Sequence, residues 1–219
     1  MAALKVTVLI SGNGSNLQAL IDARQCGRLD IEIARVISNR PDARGLQRAA
    51  SSKIPCTILD HQEFPDRADF DLALANLIRS DQPDLVILAG FMRIIGASVL
   101  DQFAGRIINL HPSLLPLYRG TNTYQRALNA GDAEHGASIH FVTEELDGGP
   151  VISQVHIPIL TNDDKNSLAA RLAPMEHRLL VATMEFFTRH TVECLDCIIF
   201  VDGDRREDVL KLTTDDRLL

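Results

Sequence analysis

Three side chains carry the makings of acyl-transfer chemistry. Asn109 and His111 stand two apart in Asn109-Leu110-His111-Pro112, so on a strand they face the same side. Asp147 opens Asp147-Gly148-Gly149-Pro150, a flexible turn able to carry a carboxylate toward them. An amide donates to a developing oxyanion. An imidazole donates to the same oxygen or relays a proton. A carboxylate orients that imidazole or accepts the proton of an attacking amine. His140 precedes the Asp147 turn and is close enough in sequence to support it. Together these groups would serve acyl transfer without a covalent intermediate. Two other readings stay open. His111 alone also reads as a structural histidine, and His111, His140 and Asp147 as a metal set. No short ligand spacing supports a metal, so none is expected.

A second chemical feature is Ser11-Gly12-Asn13-Gly14-Ser15-Asn16, which joins a strand to a helix. Glycines let the backbone turn tightly and present amides, and a helix N-terminus favours an anion. The turn reads as a phosphate cradle formed by Gly12, Asn13, Gly14, Ser15 and Asn16, or as a capped turn with no ligand. Leu17 occupies the third glycine position of a dinucleotide fingerprint, which weakens an NAD reading. Arg40 ends the second strand and keeps NADP open as an alternative.

Alternating elements must hold these groups. Residues 4–10, 31–37, 56–59, 85–89 and 106–110 read as strands, several of them β-branched and apolar. Leu17, Leu20 and Ile21, then residues 42–51, then Phe70, Leu74, Leu77 and Ile78, read as helices between them. Residues 121–129 read as a helix, 137–142 and 151–159 as strands, and 168–187 as a long helix despite Pro174. Residues 197–201 and 209–212 read as a closing hairpin around Asp202-Gly203-Asp204. The pattern predicts a Rossmann-like, doubly wound, mostly parallel α/β sheet. Ligands of such sheets lie at the strand C-termini, where residues 11–16, 90–93 and 109–116 converge.

Composition bounds the partners. The 219 residues carry a net charge of −7, with 46% hydrophobic and 23% charged residues. That is an ordinary globular balance, which excludes intrinsic disorder. No apolar run is long enough to span a bilayer, and no secretory signal pattern opens the chain. The acidic charge argues against a nucleic-acid partner. The four cysteines form no evident disulfide framework, and Cys194-x-x-Cys197 reads as structural. His135 reads as an exposed turn residue, and residues 202–219, alternating in charge, as a solvated tail. A cytoplasmic protein is expected, acting on small molecules as a monomer or weak homodimer.

Four segments resemble one family in the same order. They are Ser11 to Asn16, Leu88-Ala89-Gly90-Phe91-Met92-Arg93-Ile94, Asn109-Leu110-His111-Pro112-Ser113-Leu114-Leu115-Pro116, and His140-Phe141-Val142 through Leu146-Asp147-Gly148-Gly149-Pro150. The sequence is similar to the phosphoribosylglycinamide formyltransferase family over about residues 5 to 202. The resemblance implies transfer of a formyl group from 10-formyltetrahydrofolate to the amine of glycinamide ribonucleotide. It implies that Asn109 and His111 stabilise the oxyanion, Asp147 assists proton transfer and His140 supports them. It assigns the substrate phosphate to Gly12, Asn13, Gly14, Ser15 and Asn16, and the ribose to Glu176. It sets the folate against Met92, Arg93, Ile94, Ile95, Thr143, Glu144, Glu145 and Leu146, with Arg67 nearby. One domain of residues 1–219 is expected, about 1–110 holding phosphate and about 111–219 the folate and catalytic loop.

One stretch departs from that family. Arg119-Gly120 resembles methionyl-tRNA formyltransferase, and Gly120-Thr121-Asn122-Thr123-Tyr124 resembles formyltetrahydrofolate deformylase. Both share the Asn-His-Asp chemistry, so the deformylase or another formyl acceptor is the alternative. Against them stand the acidic charge, the lack of an added RNA-binding or regulatory domain, and the phosphate turn.

Overall fold

The computed structural model describes residues 3–219. In chain order the elements are β1 (Leu4–Ile10), α1 (Ser15–Gln25), β2 (Ile31–Ser38), α2 (Arg44–Ser51), β3 (Cys56–Ile58), α3 (Arg67–Asp81), β4 (Leu85–Leu88) and α4 (Ala97–Leu100). There follow β5 (Ile107–His111), α5 (Thr123–Ala130), β6 (Glu134–Phe141), β7 (Val151–Pro158) and α6 (Lys165–Arg189). The chain ends with β8 (Val192–Leu195), β9 (Ile198–Val201), β10 (Asp204–Arg206) and β11 (Leu210–Lys211).

Eight strands form one sheet in the order β11-β7-β6-β5-β4-β1-β2-β3. Strands β3, β2, β1, β4 and β5 are parallel, while β6 runs antiparallel to both β5 and β7. This is the mixed, mostly parallel α/β architecture that the alternating pattern predicts. Period-two alternation sorts the core into two layers. Val6, Val8, Ile10, Ile87 and Ile108 pack with Leu17, Leu20 and Leu172 on one face. Leu9, Val86, Leu88 and Ile107 pack with Phe70, Leu74 and Val99 on the other.

Chain order and strand order place the site. The strands progress outward from β1 through β2 to β3, then β4 returns to the other side of β1. The reversal opens a crevice at the C-terminal ends of β1 and β4, the switch point where ligands of such sheets bind. Ser11 stitches it together. Its N–H donates to the Gly90 carbonyl at 3.2 Å, its Oγ donates to Asn39 Oδ1 at 2.5 Å, and it accepts from the Met92 N–H at 2.8 Å.

The structure corrects three readings. The turn at residues 202–203 joins β9 to β10, and β8 completes a separate three-stranded sheet. Residues 210–211 instead extend the main sheet, parallel to β7. The tail is not simply solvated, because Asp216 accepts from both Arg28 and Arg178. His135 is buried at 1% exposure on β6, its ring 5.1 Å from that of Tyr124. The neighbouring Glu134 and Gly136 suggested a turn, but the paired strand β6 begins at Glu134.

Candidate active site

Asn109 and His111 occupy the C-terminal end of β5 on the face shared with Ile107. The β5–β6 register sets His140 directly opposite Asn109. A register shift between Ile139 and His140 breaks the β6–β7 ladder at that point, the sort of irregularity that re-aims a side chain. The following segment is anchored from below. Ser138 Oγ donates to the Ser113 carbonyl at 2.7 Å and accepts from the Leu115 N–H at 3.0 Å. Gln154 donates to the Leu115 carbonyl at 2.9 Å.

Asp147 arrives on the turn between β6 and β7 with φ at 48°, a left-handed conformation that costs a non-glycine residue strain. Gly149 lets that turn lie against the end of β6, since a Cβ there would overlap the Phe141 carbonyl. The turn brings Asp147 Oδ2 to 3.5 Å from His111 Nδ1, and Oδ1 to 3.6 Å from His140 Nε2. Asn109 Nδ2 lies 3.2 Å from His140 Nε2 and 3.5 Å from Asp147 Oδ1. The four predicted catalytic side chains therefore form one cluster.

Backbone carbonyls fix which imidazole nitrogen carries a proton. His140 Nδ1 donates to the Phe141 carbonyl at 2.9 Å, and His111 Nε2 donates to the Tyr118 carbonyl at 3.0 Å. Each ring then turns its other nitrogen toward Asp147. Burial pushes the His111 imidazole below its usual range, and the Tyr118 carbonyl and Asp147 offset this only in part. Burial alone would raise Asp147, but the His140 contact, the Gly120 N–H at 2.8 Å and the imidazoles together hold it below the ordinary carboxylate range. The cluster thus presents an ionised carboxylate and a neutral base, ready to take up a proton.

The divergent loop takes part through its backbone. The Tyr118 carbonyl aligns His111 and the Gly120 N–H aligns Asp147. These two contacts come from the backbone of the loop and not from its side chains. The loop is also tied to the Asp147 turn by an ion pair between Arg119 and Glu145.

The remaining site residues divide by position. Arg67 contacts Asp71 at 3.3 Å and the Ile94 carbonyl at 3.1 Å, while the Arg93 guanidinium stacks 4.7 Å over the Phe70 ring. Burial raises the Asp71 carboxyl, with both arginines acting against it. Two cations thus share one buried acid, leaving positive charge beside the 92–95 loop. Met92, Ile94 and Leu146 are exposed apolar side chains on loops at this end of the sheet, as are Glu144 and Glu145 among the polar ones. Thr143 is half-buried and bonds to the Glu145 carbonyl. Ile95 is buried in the core, so it offers a ligand only its backbone. Arg40 pairs at the surface with the exposed Asp42 at 2.9 Å. A cavity of about 750 Å³ bounded by Leu4, Arg106, Val192 and Asp202 opens at the other end of the strands, away from every predicted site residue.

Glu176, on α6, accepts from the Tyr124 hydroxyl at 3.3 Å. Burial pushes its carboxyl up to about 7. Between its ordinary value of 4.5 and about 7, the folded chain holds a proton that the unfolded chain releases. Stability must therefore fall as pH rises through that window and level off above it, by up to about 3 kcal/mol. Glu176→Gln is expected to remove this part of the slope, measured as thermal midpoint against pH. An unchanged slope would show that Glu176 is not the group responsible. Sequence reasoning missed Tyr124 and Asp71, whose partners are reached only through tertiary packing.

An open α/β sheet with an amide, two imidazoles and a carboxylate gathered at its switch point defines an enzyme equipped for oxyanion binding and proton transfer. The chain belongs to the formyl transferase family, whose model matches residues 4–184. It is 42% identical to the phosphoribosylglycinamide formyltransferase of Haemophilus influenzae over 199 residues, covering 91% of this chain and 94% of that one. Identity to the Escherichia coli enzyme of the same name is also 42%, over 202 residues, covering 92% and 95%. The structure of the phosphoribosylglycinamide formyltransferase of Coxiella burnetii superposes with a TM-score of 0.88 at 46% identity, covering 93% of this chain and 96% of that one.

Proposed function

We propose that the chain transfers the formyl group of 10-formyltetrahydrofolate to the amine of 5'-phosphoribosylglycinamide, a step of purine synthesis. The observation that carries this reading is the pairing of an amide-presenting turn with the Asn109 cluster at one switch point. The turn follows β1 and the cluster ends β5, two strands away, a span of roughly 10 Å. That suits a ribonucleotide anchored by its phosphate with its amine at the cluster. The similarity to enzymes named for this acceptor supports the same reading.

On this reading the amine attacks the formyl carbon and forms a C–N bond. The carbonyl oxygen becomes an oxyanion. Asn109 Nδ2, held by weak contacts at 3.2 and 3.5 Å, is free to donate to it. His111 donates to it once its N–H leaves the Tyr118 carbonyl. Asp147 takes the amine proton and delivers it to the folate nitrogen as that C–N bond breaks. The products are the formylated amide and tetrahydrofolate. Gly12, Asn13, Gly14, Ser15 and Asn16 hold the phosphate and Glu176 the ribose. Arg67, Arg93 and the 92–95 and 143–146 loops hold the folate, whose glutamate carboxylates suit the two guanidinia. No step calls on a metal.

We also read residues 1–219 as one catalytic domain, with about 1–110 the phosphate half and about 111–219 the catalytic-loop half; pairing of β5 with both β4 and β6 supports that unity. The same function fits a cytoplasmic monomer or weak homodimer. An acceptor screen tests the reading, comparing glycinamide ribonucleotide, water and charged tRNA with 10-formyltetrahydrofolate. Formylation of the ribonucleotide well above the other two is expected. Formate release at the same rate without an amine would make the chain a deformylase, and formylation of tRNA alone would overturn the acceptor.

A further inference from the structure

The phosphate turn is held from behind by α2. The Gly45 N–H donates to the Gly12 carbonyl at 3.1 Å. Arg48 does more. Its Nε donates to the Asn13 carbonyl at 2.9 Å, Nη2 lies 3.4 Å from Asn13 Oδ1, and Nη1 donates to Gln18 Oε1 at 3.1 Å. Two successive carbonyls of the turn are thereby pulled toward α2, which leaves the turn's amides to face the crevice. Gly14 makes this approach possible. It has φ at 70°, and a Cβ on it would lie 2.6 Å from the Gly45 Cα.

The turn also lacks the partners that would normally quiet it. Helix α1 begins without a capping side-chain hydrogen bond and without an acid in its first turn. Asn16 Oδ1 is buried with no hydrogen-bond partner. Three of the five guanidinium N–H groups of Arg48 are committed to the turn and Gln18, so its charge is fixed beside the uncapped helix end. His177, on α6, also faces it, and Asp22 lies beyond Gln18, which donates to its Oδ1 at 2.7 Å. Burial, and then Arg48 itself, push that imidazole below its usual range, so it adds no competing charge.

We propose that Arg48 is a positioning residue for the substrate phosphate: it locks the carbonyl of Asn13 away from the crevice and sets a fixed positive charge behind the turn. The ligand class is a phosphate monoester on a pentose. Naming that ligand as glycinamide ribonucleotide rests on the proposed function, but the geometry of the turn does not.

The test uses the whole enzyme with Arg48→Met and Arg48→Lys, and ribose 5-phosphate as the probe, titrated calorimetrically. Arg48→Met is expected to weaken ribose 5-phosphate binding at least about tenfold, from the loss of a charge-assisted contact. It should raise the KM for glycinamide ribonucleotide by a similar factor, while kcat and the KM for the folate stay within about twofold. Arg48→Lys restores charge without the fork and should fall between Met and wild type. The Met effect should shrink as salt is raised. Ribose 5-phosphate binding by Arg48→Met as tight as wild type would overturn the inference. So would an equal loss of affinity for phosphate and folate in both variants, which marks a general structural role. If ribose 5-phosphate binding depends on Arg48 but the ribonucleotide is not formylated, the acceptor reading falls and this inference stands.

Discussion

Asp147→Asn is expected to lower the kcat of formyl transfer by about 1,000-fold or more while the enzyme still folds. The substitution keeps the shape of the side chain. With its oxygen at the position of Oδ2, it still accepts from the Gly120 N–H, which binds Asp147 at 2.8 Å in the native chain. Its new amide group then takes the place of Oδ1, facing His140 Nε2 and Asn109 Nδ2. What disappears is the negative charge and the ability to accept a proton. His111 also loses a counter-charge that opposes its burial, so its imidazole becomes harder still to protonate. Stability falls only slightly. Burial opposes ionisation of Asp147, so removing the charge removes a desolvation cost together with its favourable contacts. The thermal midpoint should therefore change by only a few degrees, as for about 1 kcal/mol in a chain of this size. Steady-state rates beside thermal unfolding curves make the comparison. A kcat near that of the wild type would remove Asp147 from the chemistry.

Much of this site was legible in sequence because its parts are local. Asn109 and His111 share a strand end, and the Asp147 turn announces itself with two glycines and a proline. The glycine turn after β1 is equally local, and β-branched runs marked the strands that carry these groups. What could not be read was set by tertiary pairing. The carbonyl of Tyr118 and the N–H of Gly120 orient His111 and Asp147, and a backbone group carries no sequence signature. Arg48 reaches the glycine turn from 35 residues away along the chain. Strand β8 was missed because its four residues alternate half-buried and exposed, with Glu193 among them. Residues 209–212 read as a strand, but their partner did not follow from sequence: they pair with Ser153 and Gln154 of β7 and not with residues 197–201.

Asn109→Asp should be nearly as damaging, and its pH dependence is the more telling result. The change replaces an N–H donor with a carboxylate about as far from Asp147 Oδ1 as Asn109 Nδ2 is now, 3.5 Å. Two acids at that separation do not both ionise readily, and the pair titrates as a unit with one value strongly raised. Where the pair shares one proton, residue 109 can still donate to the oxyanion while Asp147 accepts from the amine. That form resembles the native arrangement and should retain part of the activity. As pH rises through the upper value, the last proton leaves. The oxyanion then meets a second negative charge in place of a donor. The variant is therefore expected to be active only on the acid side, with kcat falling tenfold per pH unit above the raised value. At neutral pH or above, the loss should reach about 100- to 1,000-fold, the scale of removing one oxyanion donor. The wild type has no titrating group at residue 109, so it lacks this alkaline fall. A pH–rate profile of kcat for both proteins makes the test, and an Asn109→Asp profile parallel to that of the wild type would place the oxyanion site elsewhere.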